Sequence, residues 1–135
     1  MKKLTAISFA VLALLLLAGC GGNTSTAGRH IGESTLYTEA EIAAAMDAAE
    51  RKFKSDFDGC TLILTDYNEE FSAPRAEEWA AQYSADEAIV LRSEFETGSE
   101  AGGGSLNPNE TYRGWQWILT RDEGGSWTLR TWGYG

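Results

Sequence analysis

Apolar residues recur at Ile42, Ala45, Met46, Ala49, Phe53 and Phe57 with the spacing of one helical face, while Glu41, Asp47, Glu50, Arg51, Lys52 and Lys54 fall mostly off it. Thr38-Glu39-Ala40-Glu41 is a capping box, in which the Thr38 hydroxyl accepts from the Glu41 amide and Glu41 reaches back, with Tyr37 and Ile42 at the staple positions. A helix is predicted from Glu39 to a stop at Gly59, which can supply the left-handed residue past a helix end. Asp56-Phe57-Asp58-Gly59 lacks the alternating ligands and distal Glu of a calcium loop, so it reads as that helix end.

The period then changes. Thr61 to Tyr67 (TLILTDY) is a β-rich run closed by a polar corner, Asn68-Glu69-Glu70. Pro74 suits the first turn of a short second helix in which Ala76, Trp79, Ala80 and Tyr83 share a face, with Trp79 turned inward. Glu87 to Phe95 contains the continuous run Ala88-Ile89-Val90-Leu91, the pattern of a strand flanked on both sides and covered on both faces. Gly98 to Glu110 is a loop, and Tyr112 to Tyr134 a β-hairpin around Asp122-Glu123-Gly124-Gly125-Ser126. A three-residue loop with Gly125 left-handed pairs Leu119 with Leu129. Unbroken alternation then puts Trp115, Trp117, Leu119, Trp127 and Leu129 on one face and Tyr112, Gln116, Ile118, Arg130, Trp132 and Tyr134 on the other. The order α-β-α-β-β-β predicts an α+β domain. A long N-terminal helix and a short second helix pack on an antiparallel sheet of about four strands, around Phe53, Trp79, Trp117, Leu119, Trp127 and Leu129.

Ahead of the domain, Lys2 and Lys3 precede an apolar stretch, Leu4 to Leu17, that is too short to span a bilayer. Leu17-Ala18-Gly19-Cys20 closes it and resembles the lipobox of bacterial lipoproteins, which implies a diacylglycerol on the Cys20 sulfur and cleavage just before it. Residues 1–19 are then a lipoprotein signal peptide, and the partner is the membrane, reached from outside the cytoplasm through acyl chains on Cys20. Residues 20–35, rich in Gly, Ser and Thr, are predicted to be a flexible tether that carries a solvated His30 and holds the domain 36–135 at ~20 Å from the membrane.

Charge narrows the classes. The formal net charge of −9 argues against nucleic acid as a partner. Removal of residues 1–19 takes away Lys2 and Lys3 and no acid, so anionic headgroups would repel the exported part and lipid must hold it. The sequence has no dinucleotide or phosphate loop, no H-E-x-x-H, no G-x-S-x-G and no second His, so no metal set, cofactor or nucleophile–base pair is implied. Cys60, the thiol left beside Cys20, reads as a buried small hydrophobe. Glu94 and Glu96 share a strand face at a spacing a carboxylate pair could use, and read as solvated acids. Four Trp within the hairpin could line a pocket for a sugar or peptide, and the mixed polar and aromatic face makes Tyr112, Gln116, Arg130, Trp132 and Tyr134 the candidate ligand-binding residues.

Tyr37 to Ile42 (YTEAEI), Glu78 to Tyr83 (EWAAQY), Leu106 to Tyr112 (LNPNETY), Trp115 to Leu119 (WQWIL) and Trp127 to Tyr134 (WTLRTWGY) carry a further likeness. Through these motifs the chain resembles small exported lipoproteins of a domain-of-unknown-function family from Gram-positive bacteria. The resemblance implies an α+β roll similar to the cystatin-like and nuclear-transport-factor-like folds, and no activity. The function expected is a lipid-anchored, extracytoplasmic, non-catalytic binding module for a protein, peptide or glycan. The alternatives are a cell-envelope hydrolase using Asp and Glu side chains, and an inhibitor of the cystatin-like kind, whose insertion loops are not recognisable here. Cys20→Ala is expected to leave the precursor unprocessed or to release the protein from the membrane fraction. Equal incorporation of labelled palmitate into both forms would refute the lipobox reading.

Overall fold

A computed structural model describes residues 21–100 and 105–134, so the signal peptide expected over residues 1–19, and Cys20, lie outside the described residues. The strands are β1 (Gly28–Ile31), β2 (Cys60–Tyr67), β3 (Glu87–Thr97), β4 (Thr111–Arg121) and β5 (Thr128–Gly133), and the helices are α1 (Glu39–Asp56) and α2 (Glu69–Gln82). The fold is α+β, with two helices packed on a five-stranded mixed sheet in the order β1-β2-β3-β4-β5. Only the β1–β2 pair is parallel.

α1 begins where the sequence places it, with both halves of the capping box formed between Thr38 and Glu41. Its stripe, Ile42, Ala45, Met46, Ala49 and Phe53, is buried against one sheet face made by Leu62, Tyr67, Ile89, Leu91, Phe95, Trp117 and Leu119. Trp127 and Leu129 pack partly buried against the same cluster. Trp79 does not belong to this core: it is half-buried on α2, stacked on Tyr83.

α2 starts at Glu69, five residues before Pro74, because Asn68 caps it by accepting from the Phe71 amide at 3.1 Å and Glu69 and Glu70 occupy the acid-favouring first turn. Pro74 therefore sits inside the helix. α2 packs on β3 and β4, on the side of the sheet away from α1, where Ala88, Val90, Ile118 and Thr120 are buried. β3 runs past the end of β2, whose last antiparallel partner is Arg92. The freed backbone edge is met by side chains: the Val90 amide donates to the Ser72 hydroxyl at 2.9 Å and the Tyr37 hydroxyl donates to the Ala88 carbonyl at 3.1 Å. Burial pushes the Tyr37 phenol up to about 12, so it remains a donor.

Two expectations change at the edges. The sheet is not a four-stranded antiparallel one, because residues 28–31, assigned to a tether, form an edge strand paired with Leu64 to Tyr67. β1 offers little apolar surface. It docks through backbone pairing and through Arg29, whose guanidinium bridges Asp47 and Glu50 of α1, each at 2.7 Å. His30, although exposed, is thus on a strand, with Nδ1 at 2.6 Å from Asp66. The segment before it is docked as well: the Gly22 amide donates to the Lys54 carbonyl, and Asn23 both donates to Cys60 and accepts from Leu62. A Cβ on Gly21 would lie 1.9 Å from the Lys54 oxygen, and one on Gly22 would lie 2.4 Å from the Phe53 oxygen, so only glycine permits this approach. In the hairpin, Leu119 does pair with Leu129, but the left-handed residue is Gly124, at the third position of a turn closed by Gly125 donating to Asp122.

Trp117 is buried and donates its Nε1–H to Ser93 at 2.9 Å. Trp117→Ala is expected to cost ~3–5 kcal/mol. Ser72→Ala, which strands the Val90 amide, is expected to cost ~1–3 kcal/mol. Chemical denaturation of both variants checks the pair, and an unchanged midpoint for either contradicts its place in the fold.

Candidate functional site

Each antiparallel ladder carries one irregularity. Between β3 and β4, Arg113 and Gly114 stand opposite the single residue Glu94, so Tyr112 faces Phe95 and Trp115 faces Ser93. Gly114 has φ +72° with open space around it, so glycine is required here by backbone conformation and not by crowding. Between β4 and β5, Arg130 is the extra residue, and Trp132 pairs with Trp117. A one-residue shift reverses every later side chain.

The candidate ligand face is divided as a result. Tyr112, Trp132 and Tyr134 lie on the α1 face, not beside Gln116 and Arg130. Tyr134 stacks on Tyr112 at 5.9 Å between centroids and meets Trp115 edge-on at 5.4 Å. Trp132 lies 6.3 Å from Trp117, with the Lys52 ammonium 4.8 Å above its ring. Gln116 pairs with Arg92 and Gly133 on the opposite face, and Arg130 donates to the Thr120 hydroxyl, with its guanidinium over Tyr83. The structure thus unites three of the five candidates with Trp115, which alternation had placed in the core.

Two of these rings, Trp115 and Trp132, line a cleft of about 220 Å³ together with Asp56, Phe57, Ser105 and Leu106. Phe57, Phe95 and Tyr112 surround the Trp115 ring at near-perpendicular angles. Among the described residues, Trp115 Nε1 is the buried side-chain polar atom with no hydrogen-bond partner. Leu106 is held near by its loop, where the Thr97 hydroxyl donates to Asn107 and the Asn107 amide donates to the Tyr112 hydroxyl. Gly114 inside an apolar-alternating strand and the three-residue step from Leu129 to Trp132 are the sequence signals for this grouping.

Two of the three larger grooves among the described residues are chemically occupied by the chain itself. In the groove of about 420 Å³ beside Trp127, the Arg121 guanidinium is already held by Glu41 and Glu87, and the indole donates to the Glu41 carbonyl. In the one of about 630 Å³ at Glu69, that carboxylate accepts from Ser34, Thr35 and Leu36.

Asp66 and Glu94 line one shallow pocket of about 210 Å³, but Arg92 and Arg113 line it too and Asp66 is bridged to Arg92 at 3.3 Å. Glu94 is bridged to Arg113 at 2.9 Å and Glu96 is exposed. The carboxylates displaced from their ordinary value are all displaced downward: Glu41 to about 2 by the Thr38 amide and Arg121, Glu69 to about 2 by the Ser34 hydroxyl and Thr35 amide, and Asp56 by Lys52. Cys60 is buried, and burial pushes its thiol up. Among the described residues no group of three or more His, Cys, Asp and Glu could hold a metal ion. No protein-family model, curated protein or solved structure matches this chain.

Because Glu41 and Glu69 are held below their ordinary value of 4.5 by partners in the folded state, their contribution is complete above 4.5 and lost as pH falls toward about 2. Melting temperatures measured across that window are expected to fall less steeply for Glu69→Gln and Glu41→Gln than for the unaltered chain. Parallel curves would contradict the assignment.

Proposed function

We propose that this chain is a lipid-anchored, extracytoplasmic binding module that performs no catalysis and takes its partner at the cleft of Trp115 and Trp132, beside the rings of Tyr112 and Tyr134. The observation carrying the reading is an open cleft walled by the Trp115 and Trp132 indoles together with Phe57 and Leu106, an arrangement suited to a partner that offers apolar surface. Supporting it, the outermost rings are exposed, Trp132 by 38% and Tyr134 by 60%, in a chain that otherwise covers its large apolar groups except Leu36 among the described residues. The anchor is read from the motif at Cys20, and no helix among the described residues is long and apolar enough to cross a membrane. The affiliation with small exported lipoproteins, and a cystatin-like roll, belong to the same proposal. The antiparallel succession β2 to β5 with α1 laid across one face favours that roll, while the parallel β1 departs from it. A hydrolase built on Asp and Glu draws no support from carboxylates that are ion-paired or held low.

The test is photo-crosslinking in the host cell. A benzophenone side chain in place of Tyr134 is expected to trap a partner, and the same group in place of Arg130, on the opposite face, to trap none. Equal capture at both positions would remove the cleft from the reading.

A further inference from the structure

We infer that the aromatic end of the fold rests on the outer surface of the bilayer, held there by an anchor with no spacer between lipid and domain. The inference depends on the Cys20 anchor proposed above and names the partner of the cleft as the neutral interfacial layer of the host membrane.

The first argument is length. Gly21 follows Cys20 directly, so its Cα lies ~3.8 Å from that of the acylated residue. Gly21 to Asn23 are already locked to the domain: the Gly22 amide donates to Lys54 at 3.0 Å, Asn23 donates to Cys60 at 2.9 Å, and Leu62 donates to Asn23 at 2.8 Å. The close approach of Gly21 and Gly22 to the Lys54 and Phe53 carbonyls leaves no slack to pay out. A flexible tether would have let the domain tumble at ~20 Å from the surface. Here the surface reached is the one at which residue 21 emerges.

The second argument is which surface that is. Cys60 pairs with Thr97 and Glu96 with Thr111, so the start of β2, the end of β3 and the start of β4 share one end of the sheet. The last residues of α1 and the docked glycines lie there, as does Tyr134, stacked on Tyr112. The anchor and the aromatic cleft therefore open at the same end of the molecule.

The third argument is composition. Among the described residues the large apolar side chains left exposed are Leu36, Trp132 and Tyr134, and the last two are at this end. So are Lys52 and Lys54, the only lysines that follow Cys20 in the sequence. Trp and Tyr straddle a membrane–water boundary with ring inward and polar atom outward, and Lys extends its ammonium past them to water. Lys52, ion-paired with Asp56 at 2.5 Å, lies over the Trp132 ring and so puts a lysine and an indole side by side at this end. Asp56, Asp58, Glu96 and Glu110 share this end, so the contact does not depend on anionic lipid, and the acyl chains supply the affinity.

The acylated full-length chain, reconstituted in phosphatidylcholine vesicles, tests the inference when part of the lipid carries a nitroxide on its headgroup. The nitroxide is expected to quench tryptophan emission of the unaltered chain. That quenching should be reduced in Trp132→Phe, where Trp115 remains in the cleft, and lost in a variant with a Gly/Ser spacer of about ten residues, spanning ~17 Å, between Cys20 and Gly21. The spacer variant leaves every core residue in place, so it decides the question even if Trp132→Phe folds poorly. Intact mass separates the two layers of argument. Acylated Cys20 with no quenching, or quenching unchanged by the spacer, overturns this inference alone. An unmodified Cys20 overturns the anchor and the inference with it.

Discussion

Phe53 and Phe57 reach the sheet one helical turn apart and meet Phe95, Trp115 and Trp117, rings that alternation along β3 and β4 already turns to one face. Phe57 lies 5.6 Å from Phe95, 5.9 Å from Trp115 and 5.5 Å from Trp117, and Phe53 lies 5.5 Å from Phe95. A strand shows only alternate residues to one face, so bringing Tyr112, Trp132 and Tyr134 to this face as well requires the alternation to be broken. The ladders break it once each: at Ile63 on β2, at Arg113 and Gly114 on β4, and at Arg130 on β5. The first turns Leu62, Thr65 and Tyr67 to the core, the second turns Tyr112 to it, and the third turns Trp132 and Tyr134. The cleft exists because the bulges deliver more rings to this face than α1 can cover.

The acidic composition acquires a structural meaning from the same geometry. Glu69, at the first turn of α2, accepts from Ser34, Thr35 and Leu36 and so fixes the crossing from β1 to α1. Glu41 satisfies the Thr38 amide and also binds Arg121, joining the start of α1 to the end of β4. Asp47 and Glu50 take Arg29 and hold the edge strand down. These carboxylates serve as acceptors for chain segments with too little apolar surface to dock by burial, a use that net charge alone does not reveal.

What could be read from the sequence is what one local signal controls. The α1 stripe and capping box, the buried run at Ala88 to Leu91 and the pairing of Leu119 with Leu129 each follow from residues close together in the chain. The misreadings have a common cause in long-range partners. GRHI became a strand because β2 offered an open edge and α1 offered Asp47 and Glu50, neither of which is local to it. The Asn68 cap outweighed the preference of Pro74 for a first turn, moving the start of α2 forward. The candidate face was legible in part: alternation groups Tyr112, Trp132 and Tyr134 together, as the structure does, but sets them beside Gln116 and Arg130 because it does not allow for the bulges at Gly114 and Arg130.

The gradient of burial along the aromatic face also bears on how a partner would be met. Phe53, Phe95 and Trp117 are buried, Trp115 is partly covered, and Trp132 and Tyr134 are exposed, yet all belong to one chain of ring contacts. The exposed rings are therefore splinted by buried ones: Tyr134 between Tyr112 and Trp115, Trp132 between Trp117 and Lys52. Rings held in this way lose little conformational freedom when covered, so the ordering cost that weakens contacts made by free side chains is largely met during folding. The same splinting couples the site to the core. A change at Phe57 or Trp115 would move the exposed rings as well, which makes the end of α1 the point that ties those rings to the core.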